Sequence, residues 1–71
     1  MASTGELLQK GIDAAKAKQV AEARSILKRV VELEPRNETA WLWLSGVVET
    51  DEQQITCLEN VLAINPDNKA A

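Results

Sequence analysis

Four runs along the chain repeat apolar residues at helical spacing, and short polar stretches separate them. In the first, apolar and small residues fall in two adjacent rows, Leu7/Gly11/Ala14 and Leu8/Ile12/Ala15. Ser3-Thr4-Gly5-Glu6 precedes it and fits a capping box, with Ser3 as N-cap and Glu6 reaching back, so a helix is predicted from there to about Ala17. Gly11 costs that helix about 1 kcal/mol against Ala, which marks it as a place where a neighbouring helix comes close. Lys16-Ala17-Lys18-Gln19 reads as a polar turn whose cations suit a helix C-terminus.

The second run predicts a helix over about Val20 to Glu34. Val20, Ala23, Leu27, Val30 and Val31 form one stripe, with Ile26 and Leu33 flanking it and Ala23 small enough to admit a neighbour. Glu34-Pro35 then stops the helix, and Asn37 caps a third one whose first turn carries Glu38. Ala40, Trp41, Leu44, Val47 and Val48 give this helix an apolar face out to about Glu49. Thr50-Asp51-Glu52-Gln53 is a turn and a second capping box, with Thr50 or Asp51 capping and Gln53 reciprocating. The fourth helix runs to about Ile64, with Ile55, Leu58, Val61 and Leu62 expected inside and Cys57 and Ile64 beside them. No run reads as a strand. Four helices joined by turns of a few residues predict an all-α fold of consecutive antiparallel hairpins.

Composition sharpens this picture mainly by what it removes. Seventy-one residues with 45% apolar and 27% charged residues read as one small folded domain over 1–71, near the size at which a lone core supplies only a few kcal/mol. The chain has no His, Tyr or Phe, so its core is aliphatic with two Trp. The lone Cys57 has no partner base, so nucleophilic triads and ordinary zinc sites are not expected, and it reads as a small buried hydrophobe. No Gly-rich phosphate loop is present. Glu49, Asp51 and Glu52 read as a capped, solvated turn rather than a metal site. The expectation is a non-enzyme without cofactors.

A single cysteine suits a reducing compartment, and no apolar run approaches the roughly 18 residues of a membrane span. MASTGELL lacks a basic-then-apolar signal pattern, so a cytoplasmic location is expected. A net charge of −3 offers no general attraction to nucleic acid or an anionic membrane, and Arg24, Lys28 and Arg29 read as a solvated face. Residues 1–36 carry seven Lys/Arg and five Asp/Glu (+2), while residues 37–71 carry one Lys and six Asp/Glu (−5). That asymmetry suits a head-to-tail or antiparallel neighbour, or is the chance surface charge of a short chain.

The chain also resembles itself. AEARSILKRVVELEP (21–35) aligns without gaps on EQQITCLENVLAINP (52–66), pairing Leu27 with Leu58, Val30 with Val61 and Pro35 with Pro66. Asn65-Pro66-Asp67-Asn68-Lys69-Ala70 echoes the junction Glu34-Pro35-Arg36-Asn37-Glu38-Thr39-Ala40, as if a third unit began there. A helix-turn-helix unit ending in Pro at this period resembles the tetratricopeptide repeat, whose units have 34 residues and a W…LG…Y…A…F…P pattern. On that pattern Leu7, Gly11, Ala14, Ala23, Leu27 and Pro35 take the Trp, Gly, Tyr, Ala, Phe and Pro positions of repeat one, about 4–37. Trp41 and Leu44 match the Trp and Leu positions of repeat two, about 38–68, where Ser45 replaces the Gly. Pro66 follows Pro35 by 31 residues, so the second repeat is three residues short, and Gln54 stands opposite Ala23. The resemblance implies a fragment of an α-α superhelix whose second hairpin packs at its own angle. A repeat hairpin buries its apolar face only by stacking, so two units imply either a longer array or another molecule over the open end.

What the resemblance implies about function is a protein–protein scaffold, with a peptide in the concave groove lined by the first helix of each unit. By position, that groove holds Leu8, Gln9, Ile12, Ala15 and Lys16, then Thr39, Leu42, Trp43, Gly46 and Glu49. Leu8 and Ile12 stand where some members carry a carboxylate clamp, so an amphipathic helix or a second copy suits this groove better than an acidic tail. Trp43 points about 200° away from Trp41 on the helix. It reads either as an exposed contact anchor or as a cover for the neighbouring helix of its own repeat. Ile55, Leu58 and Leu62 on the last helix are candidates for an uncovered surface through which the chain dimerises or stacks end to end.

Overall fold

A computed structural model describes residues 3–68 as four helices with no strand: α1 (Thr4–Lys16), α2 (Val20–Leu33), α3 (Glu38–Ser45) and α4 (Asp51–Ile64). The all-α hairpin architecture is as expected. Residues 69–71, on which part of the expected third unit falls, lie outside the described residues.

Local chemistry sets most helix ends. Ser3, Asn37 and Thr50 each accept a bond from the backbone N–H three residues on, at 3.1, 3.0 and 3.1 Å. Each bond satisfies a donor that the first helical turn would otherwise leave orphaned. Gln53 does not complete the expected box on Thr50. Its side-chain oxygen accepts from the Glu49 N–H at 3.0 Å, one residue earlier. α1 ends in a left-handed residue, Lys18 at φ 63°. The Lys18 N–H donates to the Ala15 carbonyl and the Gln19 N–H to the Ala14 carbonyl, which closes the helix in the Schellman pattern.

α1 and α2 pack face to face, α3 packs against both, and α4 packs against α3 alone. Gly11 is the close approach between α1 and α2. A methyl group at Gly11 would lie 2.8 Å from Leu27 Cδ2 and 2.9 Å from its Cγ, and Leu27 is fully buried. The core is Ala14, Ala23, Leu27, Val30 and Val31 of the first hairpin with Ala40, Leu44, Val47 and Cys57 of the second. Trp41 lies against it half-buried and donates its indole N–H to the Pro35 carbonyl at 2.8 Å.

Three expectations are corrected. α3 stops at Ser45 rather than about Glu49. Gly46 and the β-branched pair Val47-Val48 are poor helix formers. The Gly46 and Val47 N–H groups fall back on i−3 carbonyls, Trp43 and Leu44. The Ser45 hydroxyl donates to the Leu42 carbonyl at 2.6 Å, which competes with the helical ladder. Val47 is then buried outside the helix, and Arg24 Nε takes its carbonyl at 2.8 Å. Second, Val20, the first residue of α2, is 43% exposed rather than part of the inward stripe. Third, Ile55 and Leu62, which the apolar spacing of α4 places inside, face outward, as the alternative of an uncovered surface has them, while Val61 and Cys57 are buried as expected.

The two proline turns match. Glu34 (φ −133°, ψ 81°) and Asn65 (φ −140°, ψ 93°) end α2 and α4 in the same conformation. Asn37 N–H bonds to the Glu34 carbonyl at 3.0 Å and Asn68 N–H to that of Asn65 at 3.1 Å. Side chains also tie the second turn to the first, because Asn65 and Asn68 both donate to the Glu38 carboxylate.

Candidate functional site

The surface of α1 and α3 carries the first set of candidate residues. Leu8, Ile12, Leu42 and Trp43 are all half-buried, and Ala15 with them. Leu8, Ala15 and Trp43 pack against the core from its edge. The Lys16 ammonium lies 6.0 Å from the centre of the Trp43 ring, at the outer reach of a cation–π contact. Trp43 thus rests on the molecule with one side and keeps part of its ring in solvent. Gln9 is exposed and spends its amide on Asp13 of the next turn, at 2.9 Å. Thr39 is exposed on α3.

Glu49 and Gly46 do not join this surface as helical residues, because α3 ends before them. Glu49 sits in the connector, exposed, with its carboxylate 3.5 Å from the Arg24 guanidinium of α2.

The second set lies on α4. Ile55 is 57% exposed, Leu62 39%, and Leu58 is half-buried between them and the core. At 100° per residue the three span about 60° of helix surface. Asp51, Glu52 and Glu59 are exposed around them, and α4 contains no Lys or Arg.

A third feature was not anticipated. α2 and α4 have no pair of Cα atoms within 8 Å, and a cleft of about 430 Å³ opens between them above α3. Trp41, Leu44 and Val48 form its floor, Val31 one wall, and Thr56 with Cys57 the other. Lys28, Glu32 and Glu52 stand at the rim. Burial pushes the Cys57 thiol above its ordinary range, and the nearby Lys28 charge offsets only part of that. No sequence signal singles out this cleft, since Gln53 and Thr56 are two of seven polar residues on α4.

Among the described residues no group of three or more His, Cys, Asp or Glu side chains is placed to hold a metal ion. No described helix is long and apolar enough to cross a membrane. No family model, characterised protein or solved structure matches the chain.

Proposed function

We propose that this chain is a non-catalytic protein-interaction module of tetratricopeptide-repeat type, which binds a peptide or amphipathic helix of another protein on the α1–α3 surface. The observation that carries the reading is the partial exposure of Leu8, Ile12, Leu42 and Trp43 on the two helices that begin the hairpins. Large apolar side chains left half in water favour a contact that completes their burial, at roughly 25 cal/mol per Å² removed. A Trp anchored on one face is a strong contact residue of this kind. The matching proline turns, 31 residues apart, support the repeat reading.

The test is selection of helical peptides from a displayed library on the immobilised protein, followed by fluorescence titration of the Trp41→Phe variant, in which Trp43 alone reports. Binding that shifts Trp43 emission to the blue and is lost in Leu8→Ser/Leu42→Ser supports the reading. Selected peptides that leave Trp43 emission unchanged and bind that variant equally well contradict it.

Self-assembly through α4 is the second reading, favoured by the exposure of Ile55 and Leu62. The carboxylates of Asp51, Glu52 and Glu59 oppose an α4-on-α4 contact, so it ranks behind the first.

A further inference from the structure

The four helices do not share the packing evenly. α1 and α2 bury Gly11, Ala14, Ala23, Leu27, Val30 and Val31, and each of the two packs on two other helices. α4 buries Cys57 and Val61 alone, and α3 is the one helix it touches. Where α2 could support it from the other side, the cleft over Trp41 and Leu44 intervenes.

α4 also brings little helical stability of its own. It contains no Lys or Arg, so no ion pair within the helix supports it. The Thr56 hydroxyl donates to the Glu52 carbonyl at 3.0 Å, and the Asn60 amide donates to the Thr56 carbonyl at 2.9 Å. Bonds of this kind compete with the backbone ladder. A helix of 14 residues with such a sequence is marginal in water and depends on the face it packs.

Two kinds of polar tie hold the second hairpin, and they act on different parts of it. Asn65 and Asn68, at the end of α4, donate to the Glu38 carboxylate of α3. Arg24 of α2 instead reaches the Val47 carbonyl, before α4 begins. The first tie is lost when α4 leaves α3. The second is not.

We infer that α4 opens as a unit ahead of the rest of the fold, with Glu38, Asn65 and Asn68 as its latch. In the open state α4 has left α3 and lost its helix, while α1, α2 and α3 stay packed. Local opening of this kind follows low local burial. Cys57 is 4% exposed when α4 is docked and is uncovered when it opens, so the fold gates its single cysteine. The inference does not depend on what the α1–α3 surface binds.

The test is labelling of Cys57 by a small aromatic disulfide reagent in water and in low urea, with global unfolding followed by circular dichroism in the same series. Labelling is expected to run about tenfold or more faster than global unfolding allows, and to depend less steeply on urea. Labelling that matches global unfolding in rate and urea dependence overturns the inference. Labelling in water as fast as in the unfolded chain overturns it too, because docked α4 would then leave the thiol uncovered. Glu38→Ala is expected to speed labelling about tenfold, since two donors lose a charged acceptor. Arg24→Met is expected to lower global stability and leave labelling in water unchanged. If Arg24→Met speeds labelling as much as Glu38→Ala does, α3 leaves with α4 and the unit is wrong. Amide hydrogen exchange reads the same unit helix by helix: α4 amides are expected to exchange together and ahead of those of α2, and simultaneous exchange of all four helices overturns the inference.

Discussion

Arg24 donates its Nε–H to the carbonyl of Val47 across 2.8 Å, tying the start of α2 to the connector between α3 and α4. This bond lets α3 stop at Ser45 without stranding a carbonyl in a partly buried site. The same guanidinium lies 3.5 Å from Glu49, whose side chain is two-thirds exposed. A hydrogen bond from a charged donor to a partly buried acceptor contributes about 1.5–3 kcal/mol, and an exposed ion pair about 0–1. Arg24→Met, which keeps the apolar stem, should therefore cost about 2 kcal/mol in denaturant unfolding, while Glu49→Gln costs less than about 0.5. Equal losses would place the stabilisation in the ion pair instead.

Gly11 invites the opposite of a propensity argument. Alanine is worth about 1 kcal/mol over glycine in a helix interior. Here its methyl group would press on Leu27, which is fully buried, and overpacking costs about 1–3 kcal/mol. Gly11→Ala should lower stability by about 1 kcal/mol net. Gly5→Ala, where the nearest atom is Ser3 Oγ at 3.8 Å, should not. Thermal melts of the two variants decide between packing and propensity.

Lys18 holds a left-handed conformation that costs an L-residue about 1–2 kcal/mol and glycine almost nothing. Lys18→Gly should stabilise the protein by about 1 kcal/mol, a rise in Tm of about 4–8 °C for a domain of this size. A fall in Tm would mean that the Lys18 side chain contributes more than its backbone strain costs.

The Cys57 thiol is pushed up by burial, so the folded state holds its proton to higher pH than the unfolded state does. Stability contributed by the neutral thiol is complete below the ordinary value of 9.0 and declines as pH rises past it. Unfolding followed from pH 8 to 10.5 should show a steeper alkaline loss in the native chain than in Cys57→Ala, which starts less stable but lacks this titration. Parallel curves would contradict the burial account.

Local signals were readable from the residues alone. The caps at Ser3, Asn37 and Thr50 and the turns at Pro35 and Pro66 depend on neighbours within a few positions, and each forms. The end of α3 had a local signal in Gly46 followed by Val47-Val48, which the apolar spacing out to Val48 obscured; the bond that holds the connector, Arg24 to Val47, joins residues 23 apart. The apolar stripes were readable as stripes but not as burial. On α4 the stripe is wider than the surface α3 covers, so Cys57 and Val61 go in and Ile55 and Leu62 stay out. Among the α1–α3 candidates, Lys16 and Trp43 meet across the two helices, and Leu8, Ile12 and Leu42 are half-buried. Glu49 does not join them because the helix that was to carry it ends a turn early.

The central claim is that the half-exposed apolar surface of α1 and α3 binds another protein rather than a second copy. Sedimentation equilibrium across a wide concentration range, under reducing conditions, tests it most directly. The account predicts a monomer of 7.8 kDa throughout. A stable dimer at low concentration would contradict it, and would mean that the exposed faces of α4 or of α1 and α3 are complementary to themselves.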